Sequence, residues 1–174
     1  MPTDDPPPFL PRISRHPTRR GTYLLETDLW LPHPPEIVFA FFSVAFNLEG
    51  ITPAWLRFHV LTPRPIEMHT GTLLDYRLRL HGLPIRWRTR IAHWNPPWSF
   101  VDEQLRGPYR LWYHEHQFEA ADGGTRILDR VTYIPRGGSL LHRWLVKPDL
   151  ERIFTFRQTS ILARFCPETP LSRD

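Results

Sequence analysis

The sequence predicts an α+β domain in which a curved antiparallel sheet wraps around a long C-terminal helix, with two short helices after the first strand. Three observations lead there. From Gly71 to Pro135, long segments alternate apolar and polar residues between turn residues, the pattern of an antiparallel meander. After Gly137-Gly138 the apolar period changes to that of a helix. Ahead of the meander a strand-forming run, TYLLETDLWL, precedes PPEIVFAFFSV, whose leading prolines suit the first turn of a helix.

Residues 1–20 carry six of the 20 prolines and no apolar period, and read as an extended N-terminal arm. Residues 21–166 form the expected single domain, and residues 167–174 a tail. Within the domain, Thr22 to Leu31 is the first strand and PPEIVFAFFSV the first helix. Thr52 before Pro53 has the form of a cap and first turn for a second short helix in ITPAWL. Five strands then follow one another: GTLLDYRLRLHG, LPIRWRTRIAHW, WSFVDEQLR, YRLWYHEHQFEA and TRILDRVTYIP. Turns at Gly82-Leu83-Pro84, Asn95-Pro96-Pro97, Gly107-Pro108 and Asp122-Gly123-Gly124 separate them. In the closing helix Leu150, Ile153, Phe154, Ile161 and Phe165 mark one stripe, and Pro148 begins or kinks it. A sheet of this kind need not close fully on its helix, so a cavity between the two is expected.

Composition narrows the function classes. The longest apolar run, Ile37 to Phe46, is far shorter than the ~20 residues of a membrane span, so no integral membrane association is expected. The N-terminus lacks the basic and apolar regions of a signal peptide, and the one cysteine, Cys166, forms no internal disulfide. A cytoplasmic location fits both. The net charge of +4 includes four arginines within residues 1–20, leaving the rest nearly balanced, which argues against a nucleic-acid partner.

In the first hairpin of the meander Tyr76, Leu78 and Leu80 share parity, and Ile85, Trp87, Thr89 and Ile91 oppose them as the inward set. The outward face holds Arg77, Arg79, Arg86, Arg88 and Arg90. These five arginines either pair with Asp75, Glu103 and Glu115, or make weak contact with an anionic surface.

The next strands depart from simple alternation. One parity class contains Phe100, Asp102 and Gln104, the next Trp112, His114, His116 and Phe118, and the last Ile127, Asp129, Val131 and Tyr133. Polar groups are thus flanked by aromatics on faces that should point inward, where an unpaired carboxylate is costly. A register joining Phe118 to Ile127 would set His116 opposite Asp129 and His114 opposite Val131, and a slip of two residues would exchange the partners. Asp102 would lie beside Trp112 or His114, depending on the turn at Gly107-Pro108. The group reads either as a satisfied structural network or as the polar part of a ligand site. His114, His116, Asp102 and Asp129 are the candidates for catalysis, since a His–Asp pair in an apolar pocket can move protons near neutral pH. The spacing of His114 and His116 also suits metal ligation, with Asp102 or Asp129 as a third ligand, but hydrogen bonding accounts for it equally and neither metal nor cofactor is expected. Ser43, Ser99 and Ser139 lack the setting of a catalytic nucleophile, and no phosphate-cradling glycine loop is present.

The strings PPEIVFAFFSVAFNLEGITPAWLRF, GLPIRWRTRIAHWNPPWSFVDEQLRGPYRLWYHEHQFE and GGTRILDRVTYIP resemble the first helix pair, central meander and last strand of the SRPBCC superfamily, the START-related and polyketide-cyclase-like helix-grip proteins. The resemblance covers most of Thr22 to Phe165. It implies a helix-grip fold with a hydrophobic cavity that receives a small hydrophobic or amphipathic molecule of lipid, polyketide or terpenoid type. By position, Tyr76, Trp87, Phe100, Asp102, Gln104, Trp112, His114, His116, Asp129 and Tyr133 would line it. The superfamily has no universal catalytic motif, so binding alone and a cyclase- or dehydratase-like reaction both stay open.

Overall fold

A computed structural model describes residues 10–167. Eight strands form one antiparallel sheet: β1 (Arg12–Arg15), β2 (Tyr23–Leu31), β3 (His59–Val60), β4 (Leu73–Leu80), β5 (Leu83–Asn95), β6 (Ser99–Arg106), β7 (Tyr109–Ala121) and β8 (Gly124–Pro135). Their order across the sheet is β1-β2-β8-β7-β6-β5-β4-β3, so the meander runs inward from one edge and meets β2 at β8. Helices α1 (Pro35–Phe42) and α2 (Asn47–Gly50) follow β2, and α3 (Gly138–Leu141) and α4 (Lys147–Phe165) follow β8. The predicted α+β, helix-grip architecture is therefore the observed one, with its five-stranded meander in sequence order.

Four local expectations are corrected. Arg12–Arg15, read from composition as part of an extended N-terminal arm outside the domain, is an edge strand of the sheet registered on Tyr23 to Glu26, with Arg12 donating to Glu26 at 2.9 Å. The second short helix comes earlier and is smaller than predicted: α2 is one turn, and ITPAWL holds only a 3-10 turn at Ala54–Leu56. Thr52 does not cap that turn; Pro53 stands at the cap position, and the buried Thr52 hydroxyl has no hydrogen-bond partner. Of the two roles read for Pro148, beginning the helical segment is corrected, whereas disturbing it fits the observed backbone, with Pro148 in the first turn of α4. Helical backbone starts at Gly138 and passes through a wide π turn at His142–Val146, where Lys147 N–H reaches the His142 carbonyl. Proline has no N–H for the ordinary bond four residues back, so the ladder widens just ahead of it instead of breaking.

The parity argument explains the packing. Trp112, His114, His116 and Phe118 on β7 and Ile127, Asp129, Val131 and Tyr133 on β8 are all buried on the face toward α4. The stripe of α4 lands as read for Leu150, Phe154 and Ile161, which are buried, while Ile153 and Phe165 are half-buried. On the opposite face the charged residues pair across strands: Asp28 with Arg126 at 2.9 Å, Glu26 with Arg130 at 3.1 Å, and Asp75 with Arg88 in two bonds of 2.8 Å. Arg90 pairs with Glu103. Of the five hairpin arginines, all exposed, two are thus held by neighbours.

Three apolar clusters surround one recess. The first centres on Phe39, Phe100 and Phe118, the second on Trp112, Tyr133 and Phe154, and the third on Leu74, Tyr76 and Ile91. Side chains from each contribute to the wall of the space they leave between them.

Candidate functional site

That recess has an internal volume of about 160 Å³ and lies between the concave sheet face and α4, closed on one side by residues that follow α1. A single water needs only about 10–15 Å³ on the same kind of measure, so the space suits a small organic molecule. Its wall is largely apolar. Seven of the residues predicted to line a cavity do so: Tyr76, Trp87, Phe100, Asp102, Trp112, His114 and His116.

Three do not. Gln104 folds back over the β6–β7 turn, its amide donating to the Tyr109 carbonyl at 2.9 Å and accepting from Tyr109 N–H at 3.3 Å. Gly107 allows this, because a Cβ there would collide with the Gln104 amide. Tyr133 is fully buried, stacked on Tyr23, and its hydroxyl shares a 2.9 Å hydrogen bond with His142 Nε2. Asp129 sits behind the histidines, accepting from the Thr27 hydroxyl at 3.3 Å. Inward parity put all three on the correct face, but parity does not say which inward residues are covered by their own neighbours.

The polar cluster is built by strand register. Asp102 on β6 is paired with His114 on β7, and His116 with Asp129 on β8, so two carboxylates flank two imidazoles on adjacent strands. Asp102 Oδ2 lies 3.2 Å from His116 Nε2 and 3.5 Å from His114 Nδ1. Asp129 Oδ1 lies 2.6 Å from His116 Nδ1 and 3.5 Å from His114 Nε2. The imidazole rings are 3.8 Å apart, and Phe100 stacks on His116 at 4.0 Å.

Electrostatics separates the two histidines. Burial disfavours charge on His116, but Asp129 and Asp102 more than offset it and push the group up to about 9. Burial also disfavours charge on His114, and the neighbouring His116 charge adds to this, so His114 is lowered despite its carboxylate contacts. Burial opposes ionisation of Asp102 and Asp129 as well; the histidines prevail and hold both carboxyls below the usual range. At neutral pH the cluster is two carboxylates, an imidazolium and a neutral imidazole. Asp102, His114 and His116 each offer a ligand atom within 4.8 Å of the others, a spacing a metal ion can bridge. Such an ion would have to displace the proton that His116 holds between the two carboxylates.

Arg157 on α4 was not singled out from sequence, yet it lines the same recess beside Phe154, with its guanidinium 5.0 Å from that ring. Its Nε is buried without a hydrogen-bond partner. The signal was available: Arg157 stands three residues after Phe154 and four before Ile161, so it occupies the apolar stripe as a charged residue. Thr52, Ile51 and Leu56 also reach the wall, from a segment too irregular for parity or helical spacing to place.

No curated protein matches the chain in sequence. Among solved structures, the Zhui aromatase/cyclase from Streptomyces sp. R1128 superposes with a TM-score of 0.65 at 14% identity, covering 82% of this chain and 93% of that one. Protein Ms6760 from Mycobacterium smegmatis gives 0.62 at 14% identity, over 89% and 98%. The ginseng major latex-like protein 151 from Panax ginseng gives 0.61 at 12% identity, over 84% and 99%. At such identities the likeness is one of fold. A family model described as polyketide cyclase / dehydrase and lipid transport matches residues 31–158, from the end of β2 into α4 and across the whole recess. The chain therefore belongs to the polyketide cyclase / dehydrase and lipid transport family, within the SRPBCC superfamily.

Proposed function

We propose that the chain binds one small, largely apolar molecule of lipid, polyketide or terpenoid type between sheet and α4, with its polar end on Asp102, His114 and His116. The observation that carries this reading is the convergence of those three polar side chains on one wall of an otherwise apolar recess. Membership of the family supports a hydrophobic ligand. No helix among the described residues is long and apolar enough to cross a membrane, and the free, exposed Cys166 supports placing the protein in the cytoplasm. An anionic surface would be met by Arg77, Arg79 and Arg86, because Arg88 and Arg90 already pair with carboxylates.

A second reading, proton transfer on a bound substrate as in a cyclase or dehydratase, is favoured by one observation. Neighbouring imidazoles pushed in opposite directions supply a neutral base, His114, beside a charged acid, His116. Changing each histidine to glutamine separates the two. With the molecule recovered from the native protein as probe, a carrier changes its dissociation constant only. An enzyme loses conversion by about a hundredfold or more while still binding.

A further inference from the structure

We infer that Arg157 selects the polar end of the occupant, favouring a neutral oxygen acceptor such as a ketone or phenol over a carboxylate. This rests on the pocket reading above and deepens it. Asp102, His114 and His116 approach the recess from the sheet, whereas Arg157 approaches from α4, so the polar end of a ligand is met from two sides. The ion pairs of Asp102 and Asp129 all go to the two histidines. Arg157 Nε is buried with no acceptor, as are His114 Nε2, His116 Nδ1 and Asp129 Oδ1 without partners by strict hydrogen-bond geometry. Burial lowers the basicity of the guanidinium, and Asp129 and Asp102 offset this only in part. A guanidinium buried at the wall of an apolar space without a full set of acceptors is costly, and a ligand oxygen within reach of its accessible nitrogens lowers that cost.

Charge balance then decides which oxygen. Two carboxylates hold one imidazolium, and Arg157 supplies the second positive charge that makes the group neutral. A carboxylate on the ligand would bring an unbalanced negative charge into a mostly apolar recess, facing Asp102 on the same wall. An ammonium would face Arg157. A neutral acceptor adds a hydrogen bond to a charged donor and leaves the balance intact.

Equilibrium dialysis of the full chain at pH 7 with 2-acetonaphthone, 2-ethylnaphthalene and 2-naphthoate tests this. The ketone is expected to bind about tenfold or more tighter than either of the others. Arg157→Met should reduce the ketone-to-hydrocarbon ratio to about twofold. Naphthoate binding tightest, or an unchanged ratio in Arg157→Met, overturns the inference. If that variant does not fold, the three-way comparison on the unmodified chain decides alone. Hydrocarbon binding with no ketone preference refutes the role of Arg157 and leaves the pocket reading standing. Failure of all three to bind overturns both.

Discussion

At the scale of single residues, His116 carries the most specific consequence. Its side chain is only 7% exposed, and two carboxylates lie 3.2 and 2.6 Å from its nitrogens, so its charge belongs to the folded state. The folded value of about 9 exceeds the ordinary 6.5, so the stabilisation is fully present below about 6.5 and is lost as pH rises through 9. The loss should be on the order of 2–3 kcal/mol between pH 6.5 and 9.5, read by urea denaturation at each pH. His114, lowered by burial, has the opposite sign: the fold disfavours its charged form, so stability is lost as pH falls below 6.5 and the unfolded chain takes up the proton. His116→Gln should flatten the alkaline slope. A slope that survives the substitution would assign it to other groups. The sequence narrowed this pairing to two registers: aligning Phe118 with Ile127 puts His116 opposite Asp129, a slip of two residues exchanges the partners, and the observed register is the first. The covering of Gln104 and Tyr133 was not legible there, because it depends on a turn that folds a side chain back and on His142, which lies beyond the strands.

Among the elements, the closing helix bears the largest load. Phe154 on α4 is buried at 2%, touches the second core cluster and forms part of the recess wall, so Phe154→Ala should cost about 3–5 kcal/mol in urea denaturation. Trp144, ten residues earlier in the same helical segment, is 69% exposed, and Trp144→Ala should change stability by no more than about 0.5 kcal/mol. Equal costs for the two would show that the helix is not seated as described. Sequence period located the stripe of α4 because a helix packing on a sheet repeats its contacts every turn. It missed the π turn and the early start at Gly138, since the residues between Ser139 and Val146 include the exposed Leu140, Leu141 and Trp144 and show no single buried face. The same reasoning covers β1: four residues at a sheet edge, with only Ile13 partly buried, leave no alternation long enough to read.

For the whole molecule, the meander and terminal helix could be read from alternation and period, but the recess depends on how three apolar clusters fail to meet, which no linear pattern encodes. Thr52 illustrates this. It lines the recess from an irregular loop, its hydroxyl has no partner, and a larger apolar side chain there would enter the space without breaking a hydrogen bond. Native mass spectrometry of the full chain beside Thr52→Phe is therefore the most direct test of ligand binding in the recess. We expect the unmodified chain to carry a one-to-one adduct of a small, poorly polar molecule, and Thr52→Phe to fold normally and lose it. An adduct retained undiminished by a folded Thr52→Phe, or a chain that takes up no such molecule even when offered one in excess, would contradict the account.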